Sequence, residues 1–286
     1  MTCLTEPPTS LLEAIQHGQV LWDGDSKTVK IDLPDGKPAV VRYGKHVRIS
    51  EALAVQHVQK HSSAIIPVAP VIAVYSSKNT DEESSTVNYI ISEWIQGIVL
   101  ENVWSQLSTS EKDTLVSQLR GIISAIRQVP IDNPQEEKTY YIGSVGRNPC
   151  GDPLLADLGP FADINEFNQA LLDLAKPYFR HSYIHIIRRL LTRTLDYRIV
   201  FTHGDIAPRN IIVRQNPQQQ SHGSWEIAAI LDWECAGFYP EHWEYVKCLN
   251  AVKWSSDWGE RAQFLLERHY DEEFMLDTRL RFFYRM

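Results

Sequence analysis

Residues Phe201–Val213 read FTHGDIAPRNIIV, and after a gap of fifteen residues Ala229–Gly237 read AILDWECAG. Asp205 stands two residues after His203, Asn210 five further on, and Asp232 ends an apolar run. These are the parts that phosphoryl transfer from a metal-bound nucleotide requires. One acid, Asp205, orients and deprotonates the attacking hydroxyl. Asn210 and Asp232 hold Mg²⁺, because the transferred group needs its charge neutralised more than it needs covalent help. His203 is assigned to holding the loop by hydrogen bonds rather than to the chemistry.

The loop resembles that of the aminoglycoside phosphotransferase and choline kinase superfamily, whose pattern HGDxxxxN is met by His203, Gly204, Asp205 and Asn210. Where protein kinases carry DFG, this family often has Asp followed by Trp or Tyr, and here stand Asp232, Trp233 and Glu234. VRYGKHVRISEALAV, the IGSVGRNPCGDPL segment from Ile142 and GFYPEHWEYVK from Gly237 are similar to fungal members, so the likeness covers most of the chain. It implies an α+β, two-lobed protein-kinase-like fold. A small antiparallel β-rich N-lobe would occupy 1–95 and a larger, mainly helical C-lobe 96–286. It also implies ATP or GTP as phosphoryl donor, Mg²⁺ as metal and a small hydroxylated acceptor.

The element pattern fits that expectation. Thr28–Leu33 and Ala39–Tyr43 are β-prone runs around Pro34-Asp35-Gly36-Lys37, a hairpin signal. Ser50 offers an N-cap to a helix that puts Leu53, Ala54, His57 and Val58 on one face. Val71–Tyr75 and Val87–Trp94 read as two further strands, and the resemblance makes Ser92–Ile95 the hinge, with the backbone of Glu93 and Ile95 meeting the adenine. Beyond Gly97 helical periodicity dominates. Ser110 with Asp113 is a capping-box-like start to Thr114–Val129, and Asp163 with Glu166 starts a helix carrying Phe167, Leu171, Leu172 and Ala175. Ile184–Leu195 is a further helix, followed by strands around Ile211 and Ile230. Ile131–Pro160, crowded with Pro, Gly and Asp, reads as an irregular surface insertion, and Asn216–Gly223 as a polar loop tip.

Composition bounds the alternatives. With 286 residues, 43% hydrophobic and 22% charged, the chain is long enough for two packed lobes. A net charge of −8, with 28 Lys and Arg scattered, argues against a nucleic-acid partner. Cys3, Cys150, Cys235 and Cys248 have neither CxxC nor metal-ligand spacing and read as reduced thiols. No basic segment leads into an apolar run at the N-terminus, and Ala64–Ser77 is broken by Pro67 and Pro70. The expectation is a cytoplasmic chain with no membrane partner.

The phosphate-binding residues depart from the family pattern. In place of VKYG the chain has Val41-Arg42-Tyr43-Gly44, with Glu51 where the partner acid belongs. Arginine keeps the charge and grips phosphate bidentately, but its planar fork does not interchange with an ammonium. Either Arg42 with Glu51 anchors the phosphates in altered geometry, or nucleotide binding has weakened and the fold serves a different chemistry or a binding role. The Asp23-Gly24-Asp25-Ser26 turn is an acidic, poor anion cradle, and no GxGxxG occurs. Arg209 has two readings of equal standing, a reach to the γ-phosphate or a structural ion pair with Asp205.

Gly204 stands where regulated protein kinases carry an arginine, and few residues separate Asp232 from Pro240, so a small acceptor is favoured over a protein. Glu234, Glu241, Trp243 and Glu244, with Asp257 and further tryptophans, form an acidic and aromatic neighbourhood suited to a cationic amine. Tryptophans at helical spacing are more often core than cage.

Overall fold

A computed structural model describes residues 6–62, 64–78, 86–131, 140–194, 196–216 and 225–284. After helix α1 (Thr9–His17) the chain builds an antiparallel sheet from β1 (Gln19–Asp23), β2 (Lys27–Asp32) and β3 (Pro38–Gly44). Helix α2 (Ile49–Ser62) follows, and β4 (Val71–Lys78) and β5 (Thr86–Glu93) complete the sheet in the order β1-β2-β3-β5-β4. The β2–β3 turn forms because Gly36 accepts a left-handed φ of 80° and the Asp35 carboxylate takes the Lys37 N–H at 3.1 Å.

Helix α2 begins at Ile49, so Ser50 lies inside its first turn and is not the cap expected from sequence. The Glu51 N–H is taken by the Arg48 carbonyl at 3.1 Å. Ala52, Ala54, Val55, His57 and Val58 are its buried residues.

Strand β6 (Ile98–Val99) leads through the short helix α3 (Leu100–Val103) into α4 (Thr109–Ile126). Helix α4 starts earlier than the Ser110/Asp113 reading. The working capping box is Ser108 with Glu111, whose carboxylate accepts from the Ser108 N–H at 2.8 Å. Helix α5 (Ile164–Ala175) has its expected cap, with the Asp163 carboxylate accepting from the N–H groups of Asn165 and Glu166. Helix α6 (His181–Leu191) ends in a 3₁₀ turn to Thr194, and Leu195 lies outside the described residues.

Next come β7 (Ile199–Thr202), β8 (Ile211–Gln215), β9 (Trp225–Ile230) and β10 (Gly237–Pro240). Strand β10 pairs with β7, and β6, β8 and β9 form a second small sheet. Helices α7 (Trp243–Asn250), α8 (Trp258–Ala262) and α9 (Asp271–Tyr284) complete the described chain. Most of the expected polar tip at Asn216–Gly223 falls outside the described residues. The architecture is α+β: an antiparallel N-terminal sheet with one crossing helix, then a mainly helical region with short β pairs.

The expected surface insertion needs correcting where it is described. Residues 132–139 lie outside the described set, but Tyr141, Ile142, Val145, Cys150, Leu154 and Leu155 are all buried. Their backbone is satisfied by bridges such as the mutual Ile142–Phe161 pair, so the segment is irregular in shape yet part of the core. Arg48 ties it to the start of α2, donating to the Cys150 carbonyl at 3.1 Å and pairing with Asp157 at 3.2 Å. One continuous core runs from Ala54 and Val58 on α2 through Leu115, Leu119 and Ile123 on α4 to Phe201, Ile206, Ile211 and Trp233. The loops at the ends of β7 and β9 therefore rest on the same packed base as α2.

Candidate active site

The β7 strand delivers His203, Gly204 and Asp205 to a tight turn that favours glycine at its centre. Gly204 has φ 81°, and a Cβ there would meet the Cβ and carbonyl oxygen of Cys235 at 3.1 Å. His203 is fully buried, as its structural assignment requires. Its Nδ1 accepts from the Asp205 N–H at 3.1 Å, so the proton sits on Nε2, which donates to the Leu231 carbonyl at 3.0 Å. The imidazole thus fixes the Asp205 loop to the end of β9.

Asn210 closes the loop. Its Nδ2 donates to the Asp205 carbonyl at 2.9 Å and to Asp205 Oδ2 at 2.8 Å, while its own carbonyl receives the Leu231 N–H at 2.8 Å. Arg209 Nη2 spans both Asp205 oxygens at 2.6 and 2.7 Å. Asp232 follows in the left-handed region, with φ 63° and ψ 66°. That conformation is sparsely populated for a residue with a side chain and marks functional sites.

Arg42 on β3 joins these parts. One guanidinium nitrogen, Nη1, donates to both oxygens of Glu51 at 3.0 Å and to Asp232 Oδ1 at 2.6 Å, and Nη2 donates to Glu234 Oε2 at 2.5 Å. Burial works against the Arg42 charge, but the three carboxylates outweigh it and hold the group protonated beyond its usual range. Burial raises the Glu51 carboxyl to about 7 against the pull of Arg42. The Glu234 carboxyl is raised by burial and by Asp232 beside it.

Among the described residues, oxygens of Glu51, Asp232 and Glu234 lie within 4.8 Å of one another. Carboxylate oxygens are hard donors, so this cluster suits Mg²⁺, Mn²⁺ or Ca²⁺ rather than a thiolate-loving metal.

The remaining expected site residues are more scattered. Glu93 ends β5 and its N–H donates to the Pro70 carbonyl at 2.9 Å. Ile95 is half-buried in the link to β6, just before Gly97, where a Cβ would meet the Val213 carbonyl oxygen at 2.7 Å.

Glu241, Trp243 and Glu244 are not brought together as an open wall. Because β10 runs antiparallel to β7, with Gly237 opposite Thr202 and Pro240 opposite Ile199, Glu241 is carried away from the Asp205 loop. It is buried, held by Arg198 at 2.9 Å and Arg268 at 3.3 Å. Trp243 is buried against Phe167 and Tyr239, with the Lys247 ammonium 3.9 Å over its ring. Asp257 is engaged by Lys112 at 2.9 Å and by the Trp104 indole at 2.7 Å, and Trp258 packs edge-on to Trp104. Of the expected acceptor group only Glu234 is part-exposed beside Asp232.

Glu244 has a different position from the one its sequence suggested. Fully buried on α7, its carboxylate accepts the N–H of His203 at 2.6 Å and of Gly204 at 3.1 Å. Sequence signalled the acid but not this partner, because backbone N–H groups leave no mark in a residue pattern. The reach of Arg42 to Asp232 and Glu234, across a separation of 190 residues and more, was equally invisible.

A family model described as a phosphotransferase enzyme family matches residues 18–280. No curated protein matches the chain. Among solved structures, an amicoumacin kinase in complex with AMP-PNP, Ca²⁺ and Ami aligns at TM-score 0.50 and 11% identity, over 92% of this chain and 72% of that one. A spectinomycin phosphotransferase in complex with ADP and spectinomycin aligns at TM-score 0.46 and 11% identity, over 90% and 77%. A macrolide 2′-phosphotransferase of Brachybacterium faecium, an apoenzyme, aligns at 0.46 and 16%, over 90% and 81%. The first of these likenesses speaks to the fold alone.

Proposed function

The chain belongs to the phosphotransferase enzyme family, and from that premise we propose that it transfers a phosphoryl group from a nucleotide to the hydroxyl of a small molecule. The observation that carries this reading is the convergence of Asp205, Asn210 and Asp232 at the ends of β7 and β9, with Arg42 and Glu51 reaching them from β3 and α2.

The roles follow from chemistry. Asp205 accepts the proton of the acceptor hydroxyl, positioned by Asn210 and by the His203 and Glu244 contacts that fix its loop. Asn210 and Asp232 would hold Mg²⁺, which when bound neutralises phosphate oxygens. Arg42, oriented by Glu51, binds the α and β phosphates of ATP or GTP, and Arg209 exchanges its grip on Asp205 for the γ-phosphate. The lobes divide after residue 95, with the Glu93–Ile95 backbone meeting the base.

A small acceptor is favoured because the stretch after Asp232 is occupied at once by a 3₁₀ turn and then by β10, leaving no span for a switchable protein-docking loop. Part-exposed Glu234 suits an acceptor bearing a cationic amine.

One observation favours a second reading, a family member turned to other chemistry or to binding: the guanidinium of Arg42 sits on Asp232, the acid proposed for the metal. The two readings separate in one assay. Wild type and Asp205→Asn are incubated with Mg-ATP or Mg-GTP and a panel of amino alcohols and aminoglycosides, and nucleotide consumption and phosphorylated products are followed by mass spectrometry. Acceptor-dependent turnover lost in Asp205→Asn supports the transferase. Binding of panel compounds with no nucleotide consumed in either protein supports the second reading.

A further inference from the structure

The cation already present at this site is one of the protein's own. Arg42 places its guanidinium among three carboxylates, Nη1 lying 3.0 Å from Glu51 and 2.6 Å from Asp232 and Nη2 lying 2.5 Å from Glu234. The group is only 21% exposed and permanently charged, so ordinary pH changes do not release it. Arg209 treats Asp205 in the same way, spanning both oxygens. Every carboxylate assigned to the chemistry is thus capped by an arginine.

We infer that Arg42 is an internal competitor of the divalent cation at Asp232, so that metal enters with or after the nucleotide and not before it. The guanidinium nitrogen at 2.6 Å occupies Oδ1 of Asp232, and its fixed positive charge opposes a divalent ion drawn to the same carboxylate. What draws the Arg42 fork off Asp232 is a partner of the same kind: phosphate oxygens accept a guanidinium bidentately, in charge-assisted hydrogen bonds. Mg²⁺ loses its water reluctantly and is commonly bound by one or two carboxylates together with substrate phosphates. Phosphate arrival therefore removes the competitor and supplies ligands in a single event. A lysine could not hold all three acids this way, because the Asp232 and Glu234 contacts use separate nitrogens. The inference rests on Asp232 as the metal-side acid, as proposed above.

The test is Mn²⁺ binding, read by water-proton relaxation enhancement, with no turnover required. Wild type with Mn²⁺ alone should show weak binding, and wild type with Mn²⁺ and ADP a strong enhancement beyond that of Mn-ADP in buffer. Arg42→Met should bind Mn²⁺ without nucleotide on the order of tenfold or more tighter than wild type, equivalent to about 1.4 kcal/mol. The double variant Arg42→Met/Asp232→Asn should lose that gain. If the methionine variant does not fold, Arg42→Lys carries the test, with a smaller rise expected because only one nitrogen remains. Nucleotide-free Mn²⁺ affinity that is unchanged on removing Arg42, or a gain that survives loss of Asp232, overturns the inference. Failure of the proposed function is distinct: wild type then shows no ADP-dependent enhancement, while the comparison of wild type with Arg42→Met still decides the competitor role.

Discussion

Glu244 offers a sharp perturbation, because beside a weak contact from the Cys248 thiol it accepts two backbone N–H groups that no neighbouring side chain takes. The buried carboxylate takes the N–H of His203 at 2.6 Å and of Gly204 at 3.1 Å, and Gly204 is held in a left-handed turn packed against Cys235. In Glu244→Gln the amide oxygen still satisfies one donor, while the NH₂ group faces the other. An unpaired buried donor costs roughly 1–3 kcal/mol, so about 2 kcal/mol is expected for Gln and about 4 kcal/mol for Ala, which frees both. Burial already raises the Glu244 carboxyl, and removing that strained charge returns part of the cost, keeping Gln at the lower figure. With an unfolding entropy of about 2.1 cal/mol/K per residue, the melting temperature should fall by about 3 °C for Gln and about 7 °C for Ala. Turnover should fall further than stability, since Asp205 is the next residue along the loop. Near-UV circular dichroism melts and nucleotide turnover of the three proteins make the comparison. Melting and turnover equal to wild type in both variants would refute the idea that α7 positions this loop.

Asp205→Asn should abolish phosphotransfer while leaving nucleotide affinity close to wild type, since the lost interaction belongs to the transition state; near-normal turnover in single-turnover kinetics contradicts it. Arg42→Lys should retain nucleotide affinity, whereas Arg42→Ala should lose on the order of 2 kcal/mol of phosphate binding and destabilise the fold by about 3 kcal/mol, because Glu51 and Asp232 are left facing each other; calorimetry and urea titration check both figures. His242 is buried with no partner at Nδ1 among the described residues, and burial pulls its pKa down to about 3. Below pH 6.5 the unfolded chain gains a proton that the folded chain refuses, so this stability is full above 6.5 and is lost as pH falls toward 3. The loss should be about 2 kcal/mol between pH 7 and pH 5. Urea titrations of His242→Phe should show a flatter acid limb, and an unchanged limb sinks the assignment.

The parts of the molecule that were legible in sequence are those written in local residue chemistry. The Pro34–Lys37 hairpin, the Asp163 cap of α5 and the HGDxxxxN loop each carry their instructions within a few residues, and the strands and helix that they punctuate are present. Helix starts at Ile49 and Thr109 were displaced because several Ser, Thr and acidic residues compete within one turn, and only the side-chain bonds select Ser108 with Glu111. The 140–160 segment misled through its Pro, Gly and Asp content, which describes irregular backbone but not burial. Its apolar residues have no period because no regular element presents them. In the site, the acids were visible and their partners were not. Glu244, Glu241 and Trp243 look alike as an acidic and aromatic cluster along the sequence, yet one holds a loop, one gathers arginines and one fills the core.

The central claim is that the Asp205–Asn210–Asp232 loops, with Arg42, form a nucleotide site that works with a divalent ion. Thermal unfolding of the wild-type chain in increasing Mg-ATP and Mg-GTP, with and without chelator, tests it most directly, because a ligand bound only by the folded state must raise apparent stability, by about 2.7 kcal/mol at a hundredfold excess over Kd. With the unfolding entropy used above, that is about 4–5 °C. The account predicts a rise of that size for at least one nucleotide in the presence of metal, and its loss in Asp232→Ala. An unchanged melting temperature at millimolar nucleotide, with metal present, would contradict it.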